Sequence, residues 1–178
     1  DIQVTGFEKS QRTANNTADL VIGNFPFGNY PVTDLAHPDY SGWSIHNYFL
    51  ARSIDVLRPG GVLVAITSRY TLDALDSKVR QYVSGKADLV GAIRLPETAF
   101  KATAGTEVVT DIVVFRKKDA TPFEEAQAFQ YSMPITVDET EVSINEYFIA
   151  HPEMVLGTHA TTGKMYAASS YTVKPDTS

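Results

Sequence analysis

Asp19-Leu20-Val21-Ile22-Gly23-Asn24-Phe25-Pro26-Phe27 is a short apolar run that ends in an amide and two aromatic residues around a proline. The run is too short and too uniformly apolar for a half-exposed strand, so it reads as a buried strand of a parallel sheet. Asn24 to Phe27 then fall at the carboxyl edge, where open α/β sheets bind their ligands. Pro26 fixes one torsion and biases Phe25 toward an extended backbone, so the loop is partly set before a ligand arrives.

This arrangement suits transfer to an exocyclic nitrogen conjugated with a ring or carbonyl. The lone pair of such a nitrogen is delocalised and weakly nucleophilic. If the Asn24 side-chain oxygen and the Phe25 carbonyl each accept one N–H, the nitrogen moves toward tetrahedral geometry and its lone pair faces an electrophile. Phe27 would stack on the ring. Taken alone, the tetrapeptide is equally an ordinary strand-to-loop turn.

The following segments alternate. Ser44 to Leu57 carries a helical stripe at Ile45, Tyr48, Phe49, Ala51, Ile54 and Leu57, and Arg58-Pro59-Gly60-Gly61 ends it. Val62 to Thr67 reads as a buried strand, Asp73 to Ser84 as a helix stopped by Gly85, and Ala87 to Leu95 as a strand. Thr110 to Lys118 reads as its partner across a long loop. Ser143-x-x-Glu146 has the form of a capping box for a short helix that His151-Pro152 ends. The Thr-, Ala- and Ser-rich stretch after Gly157 reads as a loop or linker.

In these elements the chain resembles the S-adenosylmethionine-dependent amino methyltransferases, whose fourth motif is Asn/Asp/Ser-Pro-Pro-Tyr/Phe after a strand. Phe25 stands where the family has its first proline, which restores an N–H that needs a partner. The stretches "DLVIGNFPFGNYPVTD", "HNYFLARSIDVLRPGGVLVAITSRYTLD", "ADLVGAIRLPETAFKATAGTEVVTDIVVFRKK" and "INEYFIAHPEMVLG" resemble the N6-adenine DNA methylases encoded beside or fused to helicases on bacterial mobile elements and phages. Together they cover roughly residues 1 to 160.

The resemblance implies an α/β fold, the C-terminal half of the Rossmann-like class I methyltransferase sheet, with an antiparallel last strand. Residues 1–120 would be a partial catalytic domain and 121–178 an irregular extension with a short helix that docks on it or leads to a linker. Asp1 to Val4 is expected to be the family's third strand. No glycine-rich turn or ribose-binding acid precedes it, so S-adenosylmethionine would be bound mainly by residues absent from this chain, with Phe7 or Glu8 contributing on its adenine side. Leu95 to Lys101 resembles the eighth motif, which makes Phe100 a second wall for the flipped base and Lys101 a phosphate contact. Arg69, at the end of the preceding strand, is a second candidate DNA contact and equally suits a helix-capping or solvent role. The implied activity is methylation of adenine N6 in DNA, in a restriction-modification or mobile-element setting. Its partners would be DNA and the rest of a longer polypeptide carrying target-recognition and helicase parts. Cytosine N4, RNA or a protein glutamine are alternative acceptors, and a non-catalytic nucleic-acid-binding relic or an unrelated Rossmann-like interaction domain are alternative classes.

Composition narrows the rest. At 178 residues and 43% hydrophobic content, the chain has enough apolar sequence for one buried core. It has no cysteine, no signal peptide and no apolar run of the ~20 residues that cross a membrane, and a cytoplasmic location is the expectation. The four histidines lack metal-ligand spacing, so no metal is expected; His46 reads as a capping or packing residue. A net charge of −6 argues against this piece being the main grip on DNA. Arg94, Arg116, Lys117 and Lys118 are further basic candidates for a rim, the last three resembling the solvated end of an edge strand. An exposed strand edge left by the missing strands would invite self-association.

Overall fold

The run at Asp19 forms a strand. A computed structural model, which describes residues 6–9, 14–28, 30–101, 108–162 and 171–176, places β1 at Ala18–Asn24. Helix α1, Ile45–Val56, and β2, Leu57–Ser68, follow. Next come a single turn α2, Tyr70–Asp73, helix α3, Lys78–Ser84, and strands β3, Ala87–Leu95, and β4, Thr110–Lys117. The four strands make one sheet in the order β1-β2-β4-β3. β1 and β2 are parallel, whereas β4 is antiparallel to both β2 and β3. The expected antiparallel last strand is therefore present, inserted between its two predecessors. One consequence governs the site: the carboxyl ends of β1, β2 and β3 and the amino end of β4 share an edge of the sheet.

The core joins Leu50 and Ile54 of α1, Leu63 and Ala65 of β2, Leu89 of β3, Val113 and Phe115 of β4 and Val83 of α3 in one cluster. β2 buries every second residue from Leu63 to Thr67, the alternation of a strand covered on one side more than the other. β1 departs from the doubly buried reading. It has one partner, β2, among the described residues, and Leu20 and Ile22 are 52% and 72% exposed. Its apolar run is that of a parallel strand, but one face is uncovered here.

The Arg58–Gly61 breakers lie inside β2. The register passes from Ala18 opposite Leu57 to Leu20 opposite Val62, so these residues bulge opposite Asp19. Gly60 takes φ +76°, a left-handed conformation suited to glycine. A Cβ on Gly61 would lie 2.9 to 3.1 Å from the carbonyl oxygens of Arg58, Ala18 and Asp19. Backbone atoms cannot swing aside, so Gly61→Ala should lower stability by roughly 1–3 kcal/mol, read as a shifted urea midpoint with unchanged slope.

Several expected boundaries move for physical reasons. The helix expected over Asp73–Ser84 is broken at Ala74, which has ψ 135°, because the Asp73 carboxylate is held by Arg94 and by the Asn145 N–H. α3 starts afresh where Asp76 Oδ1 accepts from the Lys78 N–H. β4 lies inside the sheet, so Arg116, Lys117 and Lys118 do not end an edge strand. Lys117 donates to Asn16 Oδ1 and to the Asp55 and Leu57 carbonyls, Arg116 pairs with Asp119, and Lys118 pairs with Asp88.

The stretch read as irregular after Lys118 holds two antiparallel hairpins. The first joins β5, Ser132–Val137, to β6, Thr140–Asn145, through Asp138 and Glu139, both at positive φ. Ser143 lies within β6 and does not cap. Asn145 is the cap of α4, Glu146–Ala150, its Oδ1 accepting from the Tyr147 N–H. The second hairpin pairs β7, Thr158–Thr161, with β8, Tyr171–Lys174. The strand expected at Asp1 to Val4 lies outside the described residues.

Candidate active site

Asn24 closes β1 opposite Ile66 and is exposed. The next residue turns inward. Phe25 is 4% exposed, its ring folded back over Gly23 and tilted against Phe49 at 5.8 Å. Its N–H, the donor that a proline would lack, bonds the Ile66 carbonyl at 2.9 Å. The parallel ladder thus runs one residue past Asn24 and leaves no orphan donor at this position. After Pro26 the chain turns outward again, and Phe27 is 40% exposed. Amide and outer ring therefore face solvent at the sheet edge while the intervening ring anchors the loop in the core.

Beyond Gly28, residues 30–44 are fastened to α1. Ile45 donates to the Tyr30 carbonyl, and Val32 to that of Trp43. Asp34 accepts from Tyr48 Oη at 2.6 Å, from His37 at 2.9 Å and from the Ala36 N–H. Burial pushes the Asp34 carboxyl up, but Tyr48, His37 and the Ala36 N–H outweigh it and hold it below the usual carboxylate value. Tyr40 Oη bonds Asp55 at 2.8 Å; Tyr40 packs edge to face on Tyr48 and Tyr82, as Trp43 does on Tyr82, and Tyr40 and Trp43 are tilted against each other. Sequence reading missed this clamp, because its tyrosines lie on three separate segments: the loop at Tyr40, α1 at Tyr48 and α3 at Tyr82.

The loop and the helix together wall a cleft of about 610 Å3, bounded by Gly28, Ser44, His46, Asn47, Ser68, Tyr70 and Ala74. Gly28 has a packing reason: a Cβ there would lie 2.5 Å from the Tyr30 ring. A second cleft of about 580 Å3 shares Tyr70 and Ala74 with the first and continues toward β5 and β6. Tyr70, 45% exposed, is a further aromatic at the mouth and was not anticipated.

The basic residues are mostly committed elsewhere. Arg94, expected on a rim, is fully buried: its guanidinium donates to both Asp111 oxygens at 2.8 Å and to Asp73 at 2.9 Å, and lies 4.1 Å over the Phe148 ring. Burial pulls its pKa down, but Asp111 and Asp73 outweigh this and hold it well above an ordinary arginine. Arg69, expected as a DNA contact, pairs with Asp73 and is covered by the Tyr70 and Tyr171 rings, so its charge is spent inside the fold.

Phe100 is half-buried and Lys101 exposed, on a turn closed by Ala99 and Lys101 N–H bonds to Pro96 and Thr98. This turn follows β3, three strands from β1, which puts the two strand ends roughly 14 Å apart at about 4.8 Å per strand. Glu97 ties it to β8 by accepting from Thr172 and Lys174, while its N–H bonds the Val173 carbonyl. Burial raises the Glu97 carboxyl, but Lys174 and Thr172 prevail and leave it lowered. Its stabilisation should be fully present above pH 4.5 and be lost as pH falls through the depressed folded value. Thermal unfolding should accordingly separate wild type from Glu97→Gln at neutral pH, and the two curves should converge in acid.

Phe7 and Glu8 lie on a 3-10 turn, Phe7–Lys9. The Phe7 ring packs 5.1 Å from Phe49, which also packs against Phe25, and Arg52 lies 5.8 Å over the Phe7 ring. Among the described residues there is no group of three or more His, Asp or Glu placed to hold a metal, and no helix is long and apolar enough to cross a membrane.

No family model matches the sequence. It is 34% identical over 122 residues to the defense against restriction protein B of Escherichia phage P1, a match that spans 67% of this chain and 5% of the phage protein. A solved chain of the type I restriction–modification system is 20% identical with a TM-score of 0.52, over 62% of this chain and 23% of that one. A Listeria monocytogenes chain assigned to the class I S-adenosylmethionine-dependent methyltransferases is 25% identical with a TM-score of 0.49, over 64% and 38%. The strand order with its inserted antiparallel strand and the type I restriction–modification likeness agree on the fold, a mixed α/β sheet of the class I methyltransferase type.

Proposed function

We propose that this chain orients the acceptor base in an enzyme that methylates the exocyclic N6 amino group of adenine in DNA. The observation that carries this reading is the exposed Asn24 beside an outward Phe27, at the carboxyl edge of a methyltransferase-type sheet. Asn24 Oδ1 and the Phe25 carbonyl accept the two N–H bonds of the amino group, which withdraws its lone pair from the ring. Phe27 stacks on the extruded base, an interaction worth about 1–3 kcal/mol. Phe100 and Lys101 belong to the far rim, as a second wall and a phosphate contact. S-adenosylmethionine supplies a methyl group activated by its sulfonium, with Phe7 and Glu8 on its adenosine side.

Phe25 favours activity over a relic, because its buried ring and paired N–H hold the loop that a second proline would otherwise stiffen. We assign the remaining cofactor contacts and the DNA-recognition surface to protein outside this chain. The net charge of −6 and the small share of the phage relative that it matches both support that assignment. The test is transfer of labelled methyl from S-adenosylmethionine to DNA by the complete reading frame, with digestion to nucleosides. Label in N6-methyladenine is the expected result. Label in N4-methylcytosine, RNA or protein would move the acceptor, and folded protein that binds cofactor yet labels nothing would overturn the reading.

A further inference from the structure

The turn that carries Phe100 and Lys101 stands outside the central sheet. Leu95 opposite Thr110 is the last rung between β3 and β4. Beyond it the turn is closed on itself, by the Ala99 N–H on the Pro96 carbonyl and the Lys101 N–H on that of Thr98. Bonds of that span fix the shape of a turn and leave its direction free. The direction comes from a segment 75 to 77 residues away. Glu97 meets β8 at three points: one carboxylate oxygen accepts from Thr172 Oγ1, the other from Lys174 Nζ, and the Glu97 N–H donates to the Val173 carbonyl at 2.9 Å.

The support is itself firm. Tyr171, Thr172 and Val173 are 4%, 3% and 0% exposed. Tyr171 Oη accepts from the Arg94 guanidinium at 3.4 Å and lies 2.8 Å from His159 Nδ1 of β7. Val155 bridges Arg94, and the Leu156 N–H bonds the Arg94 carbonyl, so the segment leading into the hairpin is laced to the end of β3. Hairpin, strand end and turn are thereby fastened to one another.

Nothing in the transfer chemistry calls for this carboxylate. Each of its oxygens already accepts a bond from the hairpin, and Glu97 is 12% exposed. What the three bonds deliver is placement. A stacking wall contributes in full only when its ring is held before the base arrives, because a ring ordered on binding loses part of the contact to entropy.

We propose that the hairpin β7–β8 sets the second base-stacking wall, with Glu97 as the positioning residue through which it holds Phe100 to receive the extruded adenine. This rests on the adenine-methylation reading with Phe100 as a wall. It gives the extension beyond the catalytic sheet a part in base extrusion, separate from the orientation of the amino group by Asn24.

The test is a mutant cycle in the complete reading frame, read as kcat/KM for methyl transfer to a duplex that the wild type methylates at one adenine, paired with thymine or opposite an abasic site. Phe100→Ala and Glu97→Ala are each expected to lower kcat/KM on the paired adenine by about tenfold, the size of one lost stacking contact. In the Phe100→Ala background, Glu97→Ala should add no more than about twofold, because it acts through that ring. Both deficits should shrink to within about threefold opposite the abasic site, where extrusion costs less. Lys101 also feels the Glu97 charge, so Thr172→Val, nearly isosteric and neutral, is the second variant. It should lower kcat/KM on the paired adenine by about threefold, the effect of one lost hydrogen bond, and it carries the test if Glu97→Ala melts within the assay range. Deficits that add in folded variants, deficits equal on both substrates, Thr172→Val without effect, or Phe100→Ala at the wild-type kcat/KM would overturn the inference and leave the function standing. A wild type that forms no N6-methyladenine would remove the function, and the inference with it.

Discussion

Asn24→Ala in the complete protein is expected to reduce methyl transfer to adenine by at least roughly 100- to 1,000-fold, the range seen when one preorganised polar contact to a reacting centre is removed. The loss should fall on kcat more than on KM, because the contact is worth most when the amino nitrogen is pyramidal. Stability should be nearly unchanged. The side chain is exposed, and the backbone pairing with Ile66 does not depend on it. Asn24→Asp keeps an accepting oxygen and should retain measurable transfer, which separates loss of the acceptor from loss of shape. Single-turnover rates with cofactor-saturated protein provide the comparison. A folded alanine variant within about tenfold of wild type would take Asn24 out of the reaction.

The second large effect concerns the fold. Arg94→Met removes the cation that Asp111 and Asp73 share and leaves two buried carboxylates close together without it. Breaking a buried pair from one side costs about 3–5 kcal/mol, a large part of a typical domain's 5–15 kcal/mol. The loss should spread beyond β3. Arg94 also packs over Phe148 of α4, and Tyr171 of β8 reaches it at 3.4 Å, so the hairpin β7–β8 depends on the same cation. Urea denaturation should show the lower midpoint, and amide exchange at Tyr171 to Lys174 should quicken more than at β2. Adding Asp111→Leu to Arg94→Met should recover part of the loss, because an apolar pair replaces an unbalanced charge. If the single variant keeps wild-type stability, the network does not hold the extension.

The central sheet, and the place of Asn24 and Phe27 at its edge, were legible because each of their signals is local. The apolar run before Asn24, the helical stripe of α1 and the β-branched residues of β2 and β4 announce themselves within a few residues of one another. What escaped depends on distant partners. Asp73 ends a helix that the sequence would continue, because Arg94 and Asn145 claim its carboxylate from 21 and 72 positions away. Arg69 and Arg94 looked like surface cations, since nothing in a linear reading reports the acids and rings that enclose them. The hairpins β5–β6 and β7–β8 lack long apolar alternation, and the first turns on Asp138-Glu139 without the usual glycine.

The inward turn of Phe25 also bears on what position 25 tolerates. A proline at position 25 would delete the N–H that meets Ile66 and withdraw a ring from beside Phe49. Phe-to-small changes in a core cost about 3–5 kcal/mol. Under the proposed function, a loop held by successive prolines and this one, held by an added ladder rung with a buried ring, are separate solutions to one positioning problem, and one substitution does not convert this loop to the other without repacking around Phe49. The ring at residue 25 is thus coupled to residues 23, 49 and 66 in the core beneath the loop.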